Sequence, residues 1–296
     1  MTAPVALVTG GGSGIGLGVT EHLINHHGYR VAIIDIDPQR ARAESERLGS
    51  NCLGIAGDIT DYDAQCKAFV QAFEWGGNRL DLFFANAGVG DSDSMYKDTA
   101  VDEKTGLPAQ LNLKIIDINL NAVLQGIHLA RHFFVEKNSK PGGRIVVTSS
   151  QIGLYANPPN PLYCTSKHAL VGLVRATAPI YLKDRITINT ICPVLIRTNL
   201  MPREFVEDFH VPEQTTPMST AYKAFDAILG SEQLTGQTME LALDEVVFSQ
   251  QADYQTANGR WMFEQQLLWE KVCAPLLPRE PGQNAAEVMK PEKLRI

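Results

Sequence analysis

The chain has 296 residues, 44% hydrophobic and 20% charged, which suits one large α/β domain or two small ones and excludes a disordered chain. Its formal net charge is −7 and no Lys/Arg-rich run occurs, so nucleic acid is not an expected partner. Five scattered cysteines (Cys52, Cys66, Cys164, Cys192 and Cys273) form no C-x-x-C pair and read as reduced thiols. No apolar run approaches the roughly 18 residues of a membrane span, and no leader or C-terminal address is legible, so a cytoplasmic protein is expected.

Along the chain, short β-branched runs alternate with amphipathic stretches. Strands are predicted at 5–9, 30–35, 52–56, 80–85, 143–149 and 185–191. Helices are predicted near 14–27, 38–48, 61–74, 112–137 and 162–182, the third opening on Thr60-Asp61 as an N-cap. Near-continuous apolar strands separated by helices imply a single doubly wound Rossmann-type α/β domain, with a parallel sheet of about seven strands. Its expected span is 1–270. Two stretches break the rhythm. Residues 89–110, with Gly106 and Pro108, read as a loop. Residues 199–235 carry Pro202, Pro212 and Pro217 among Phe205, Phe209, Tyr222 and Phe225, and read as a substrate lid or as a surface excursion. Beyond them, 236–251 reads as a helix, 260–263 as a last strand, and 271–296, with four prolines, as an irregular tail.

The first strand runs into Thr9-Gly10-Gly11-Gly12-Ser13-Gly14-Ile15-Gly16, and a helix pattern follows at once. A glycine turn between strand and helix lets backbone amides approach a pyrophosphate at the positive end of the helix. The second strand ends at Asp35-Ile36. A carboxylate there can accept from adenosine ribose hydroxyls, and at an effective dielectric near 20 it would repel a phosphate 4 Å away by about 4 kcal/mol. This favours NAD over NADP, unless Arg40 turns in to pair the phosphate.

At this point the sequence resembles the classical short-chain dehydrogenase/reductase family. The glycine turn is similar to that family's T-G-x-x-x-G-I-G, and Asp58-Ile59 to its adenine-contacting pair. Asn86-Ala87-Gly88 matches its N-A-G signature, and Asn119 its helix asparagine. Ser150, thirteen residues before Tyr163, and Tyr163-x-x-x-Lys167 match its catalytic groups. Pro193 to Thr198, with Ile196 between, resembles the segment that cups a nicotinamide. Val194 departs from the usual glycine, which implies a stiffer turn. Within the family, Tyr163-Cys164-x-Ser166-Lys167-His168, Val171-Gly172, Ile191-Cys192-Pro193 and Asn160, as a substrate contact, look closest to the 15-hydroxyprostaglandin dehydrogenase type. The resemblance also implies a homodimer or homotetramer built on the helices around 112–137 and 162–182, and a water held by Asn119.

The chemistry fits these residue types. Alcohol oxidation leaves a proton that Tyr163 must accept, yet a free phenol has a pKa of about 10. If 163 and 167 share a helix face, an ammonium about 4 Å away is worth about 4 kcal/mol and lowers that value by up to about 3 before desolvation opposes it. Ser150 then serves as the oxyanion donor, and Ser149 packs or caps. The histidines His26 and His27 read as the end of the first helix and His168 as a packed helix residue, and no His/Cys/Asp group has metal-ligand spacing. The leading expectation is NAD-dependent hydride transfer at a secondary alcohol or ketone of a hydrophobic small molecule, such as a lipid, terpenoid, steroid or polyketide. An NADPH-dependent ketoreductase and a catalytically silent NAD(H)-binding sensor are the competing readings.

Overall fold

The computed structural model describes residues 3–97, 100–200, 211–273 and 277. The chain falls into two compact units, Met1–Ser249 and Gln250–Ile296. The strands of the first are β1 Val5–Thr9, β2 Arg30–Asp35, β3 Cys52–Ala56, β4 Leu82–Ala85, β5 Gly143–Thr148, β6 Ile186–Pro193, β7 Thr238–Ala242 and β8 Glu245–Phe248. Its helices are α1 Gly14–His27, α2 Pro38–Leu48, α3 Tyr62–Trp75, α4 over residues 114–137, α5 Pro161–Tyr181 and α6 Met218–Leu229. The second unit contains α7 Ala257–Glu264 and α8 Gln266–Cys273.

The sheet order is β3-β2-β1-β4-β5-β6-β7-β8, with every neighbouring pair parallel except β7 and β8. This is the doubly wound Rossmann-type arrangement expected, with an antiparallel eighth strand added at one edge. Alternate strand residues go to opposite faces, which explains why the strands read as unbroken apolar runs. Val5 and Leu7 join the core beneath α3, α4 and α5, while Ala6 and Val8 join the one beneath α1 and α6. In the first core Phe69 packs on Phe83 and Phe133, with ring centroids 5.1 and 5.5 Å apart. Each fully buried ring of this kind contributes about 2–3 kcal/mol of transfer free energy.

Helix starts follow local chemistry. Asp37 and Asp61 cap α2 and α3, each accepting from two first-turn amides. The described residues of 89–110 are irregular apart from a bridge between Val101 and Pro108.

Three expectations need correction. The 236–251 stretch is the β7–β8 hairpin, not a helix. Its period is two, with Met239 and Leu241 in the core, and Leu243 turns the chain at φ 51°. The 260–263 run lies in α7, not a strand, because Thr256 caps a helix by accepting from the Gly259 amide, 3.0 Å away. Of the 199–235 lid, residues 201–210 with Pro202, Phe205 and Phe209 lie outside the described residues, as does most of the 271–296 tail. The part from 218 is α6, a core helix and not a cover: Phe225 is buried against Phe84, with centroids 4.8 Å apart, and Tyr222 stacks on His22.

Candidate active site

The strand order reverses between β1 and β4, and ligands of open α/β sheets bind in the crevice beyond the carboxyl ends of the strands at that point. The glycine turn stands there. Gly10 and Gly14 have φ of 63° and 54°, a region that favours glycine. A Cβ on Gly16 would collide with the Gly10 carbonyl and the Asn86 amide. Ser13 occupies the N-cap of α1 without using its side chain as a cap, so the first-turn amides meet no side-chain acceptor.

Asp35 is buried at the end of β2. One carboxylate oxygen accepts from the Gly12 amide at 3.1 Å and the other from the Asp37 amide at 3.1 Å. Arg40 lies 3.9 Å from Asp35 and 3.6 Å from Asp37, so its guanidinium already faces two carboxylates. Ile36 follows at 66% exposure. Asp58 accepts from the Thr60 amide and hydroxyl, both at 2.8 Å, and Ile59 packs on the core beside α3. These residues form an open cradle on the side of the crevice nearest β2 and β3, which fits an adenosine.

Asn86 ties three strand ends together. Its backbone N–H donates to Thr9 Oγ1 at 2.9 Å, its amide donates to the Thr9 carbonyl at 3.2 Å, and its Oδ1 accepts from Thr148 Oγ1 at 3.0 Å. The Ala87 amide also donates to Thr9 Oγ1. Gly88 carries no side chain where one would meet Asn119 Oδ1 and Lys167 Nζ. Across the crevice, Ile196 is buried and Thr198 lies against Gly14. Val194 donates its amide to the Leu241 carbonyl and is not among the positive-φ positions, so the substituted valine takes an ordinary backbone conformation there.

Ser150, Tyr163, Lys167 and Asn119 come together at the ends of β5, α5 and α4. Lys167 Nζ lies 5.4 Å from the Tyr163 ring centre and donates to the Thr148 carbonyl at 2.8 Å. Lys167 is only 2% exposed, and burial pushes its ammonium down to about 8. Ser149 donates its hydroxyl to the Lys167 carbonyl at 2.8 Å, the packing role expected of it. Asn119 is fully buried in a π-turn, Asp117–Asn121, and grips the backbone of Val89: its Oδ1 accepts from the amide and its Nδ2 donates to the carbonyl, both at 2.9 Å. Nδ2 also donates to Ser166 Oγ at 3.3 Å. Both ends of this amide are therefore engaged by protein.

The electrostatic expectation for Tyr163 needs correction. Burial raises its phenol above the usual value, a hydrogen bond with Ser150 pulls the other way, and the charge of Asp91 raises it further. Desolvation outweighs what the chain's own groups offer. Asp91 is the residue the sequence reading missed. It accepts from the Tyr163 amide at 2.6 Å and the Leu162 amide at 3.3 Å, capping α5 from the 89–110 loop. Asn160, at the N-cap position, makes no side-chain cap and donates instead to Asn157 Oδ1 at 2.9 Å. His168 is exposed, not packed. The Cys192 thiol is pushed up to about 11 by burial and is an inert neighbour.

Comparison with known proteins bears on this arrangement. Residues 4–207 match the short chain dehydrogenase family model. The chain is 31% identical over 244 residues to the short-chain dehydrogenase/reductase prx6 of Penicillium rubens, covering 80% of this chain and 79% of that one. It is 31% identical over 204 residues to the rat (Rattus norvegicus) 15-hydroxyprostaglandin dehydrogenase [NAD(+)], covering 67% and 70% of the two chains. Levodione reductase superposes with a TM-score of 0.68 at 23% identity, covering 82% of this chain and 97% of that one. The chain belongs to the short-chain dehydrogenase/reductase family, whose members are oxidoreductases of CH–OH groups and bind nicotinamide cofactors.

Proposed function

We propose that the protein is an NAD-dependent oxidoreductase that interconverts a secondary alcohol and a ketone on a hydrophobic small molecule. The observation that carries this reading is the pairing of Tyr163 and Ser150 at the crevice, with a buried ammonium, Lys167, behind the phenol ring. The glycine turn (Gly10, Gly12, Ser13, Gly14, Ile15 and Gly16) and the start of α1 would hold the pyrophosphate. Asp35 would accept from the adenosine ribose, and Ile36, Asp58 and Ile59 would flank the base. Asn86, Ala87, Gly88, Pro193, Ile196 and Thr198 would wall the nicotinamide end. A bound oxidised nicotinamide supplies the hydride acceptor and a positive charge beside the phenol.

Ser150 donates to the substrate oxygen, and ionised Tyr163 takes the carbinol proton as the carbon gives up hydride; reduction runs the same transfers backwards. Lys167 favours the ionised phenol and, together with Tyr163, would hold the cofactor ribose. Asn119 is a positioning residue that fixes the loop at Val89 and, through Ser166, the first turns of α5.

NAD is favoured because Asp35 is fixed by the glycine turn and Arg40 already faces Asp35 and Asp37, which leaves a 2′-phosphate opposite a carboxylate. The rat relative's printed cofactor is NAD(+). A hydrophobic substrate suits the exposed Met95, Tyr96 and Tyr155, of which Tyr96 donates to the Pro158 carbonyl and so brings the 89–110 loop against the turn before α5. A homodimer or tetramer suits α5, where Gly172 leaves open space for a close helix approach.

Tyr163→Phe tests the mechanism. It removes the acid/base, worth about 10²–10⁴ in rate, while NADH binding read by fluorescence stays within about twofold. Wild-type turnover in this variant would overturn the assignment.

A further inference from the structure

We propose that His22, His27 and Asp226 form a site for one divalent transition-metal ion, zinc by the chemistry of its ligands, which staples α1 to α6. His22 and His27 stand in the second half of α1, and Asp226 is on α6, more than 190 residues away in sequence. Both His Nε2 atoms lie 2.7 Å from the same oxygen, Asp226 Oδ1. The three ligand atoms lie within 4.8 Å of one another. Two imidazoles and a carboxylate with open positions are a zinc donor set, completed by water.

The geometry needs little adjustment. Bonds of about 2.0–2.2 Å in a tetrahedral shell put ligand atoms about 3.3–3.5 Å apart. Each nitrogen–oxygen pair must therefore open by less than about 1 Å, and the two nitrogens close by no more than about 1.5 Å. The parts that must move are free to do so: Asp226 is half exposed, and His27 is the last residue of α1. The part that must stay is fixed, since His22 is buried and stacks on Tyr222 with centroids 4.5 Å apart and planes 3° from parallel.

The hydrogen bonding of the site accommodates an ion. His22 Nδ1 is buried without a hydrogen-bond partner, so the Nε2 contact carries the whole polar interaction of that ring. Metal binding requires the tautomer protonated at Nδ1. Nδ1 is unpaired in either tautomer, so freeing Nε2 for a metal leaves no new group unsatisfied there. In the metal-free chain two N–H groups share one acceptor oxygen; a cation would engage all three ligand atoms at once.

The site is remote from the chemistry. The 14 residues of α1 span about 21 Å, with the glycine turn at one end and His27 at the other. The ion would be structural, joining the dinucleotide-binding helix to the helix that buries Phe225.

The test uses the full chain, stripped with chelator and titrated with zinc by calorimetry and with cobalt(II) by visible absorption. One equivalent should bind, with tetrahedral cobalt bands and a raised melting temperature. Asp226→Asn, at a half-exposed position, and His27→Gln should each weaken binding by more than about 10-fold while melting near the metal-free parent. His22→Gln should do the same, but its burial makes Asp226→Asn the deciding variant. Absence of stoichiometric binding, or binding unchanged in Asp226→Asn and His27→Gln and lost on cysteine alkylation, would overturn the site. Metal binding is read without turnover, so this result is independent of the dehydrogenase reading.

Discussion

Removing Asp91 separates what it does for the fold from what it does for the phenol. Asp91→Ala deletes both acceptors at the start of α5. Losing an N-cap costs about 0.5–2 kcal/mol, and charge-assisted bonds are roughly twice as strong as neutral ones, so about 2 kcal/mol is expected. For a chain of this size that is a fall of about 3 °C in melting temperature. Asp91→Asn keeps an oxygen for the Tyr163 amide but removes the charge, so most of the stability should remain. Burial, the largest cause, still raises the Tyr163 phenol in this variant and the Ser150 hydrogen bond still lowers it, while the raising effect of the Asp91 charge is gone. Ionisation becomes easier. Alcohol oxidation needs the ionised phenol, so the acid limb of the kcat/KM profile should move to lower pH. Melting curves and pH–rate profiles on both variants check this. An acid limb that stays put or moves upward in Asp91→Asn, or Asp91→Ala melting with the parent, would refute the reasoning.

Other expectations follow from the same geometry. Lys167→Met should be inactive yet more stable near pH 7 by calorimetry. The lysine value falls from 10.5 to about 8 on folding, equivalent to at most about 3 kcal/mol, less what the Thr148 hydrogen bond contributes. The sign agrees with titration: the unfolded chain holds the proton between those values, so the parent should gain stability as pH rises from about 8 towards 10.5. Gly16→Ala drives a methyl into the Gly10 carbonyl and Asn86, and should destabilise by about 1–3 kcal/mol while raising the Kd for NADH in a fluorescence titration. Asp35→Ser should narrow or reverse the preference for NADH over NADPH in paired titrations; tighter NADPH binding by the parent would contradict the role given to Asp35.

The sheet and its helices were readable because central strands such as β1, β4 and β6 are buried along their whole length and because α2 and α3 open on their own caps, Asp37 and Asp61. The β7–β8 hairpin was misread because its turn uses Leu243 at positive φ where glycine or asparagine would have announced it. The 218–229 helix was hidden by prolines at 212 and 217, which lie before it and do not break it. At the site, local motifs such as Tyr163-x-x-x-Lys167 were legible. Asp91 was not, because its partners lie 71 and 72 residues away and an aspartate in a polar loop carries no local mark. The raised Tyr163 value was also hidden, since it depends on how deeply a fold buries one hydroxyl.

The wide turn at 117–121 sets different angular phases on its two sides in α4. One extra residue in a helix rotates everything beyond it by about 100° relative to an unbroken spiral. Downstream of it, Val123, Ile127, Ala130 and Phe134 keep a common stripe against the sheet, while Asn119 turns its amide onto the strand of chain at Val89. A single deletion between 117 and 121 would therefore regularise the helix and leave the downstream stripe seated, yet swing the asparagine away from its loop. Length, as well as residue identity, is under constraint in those five positions.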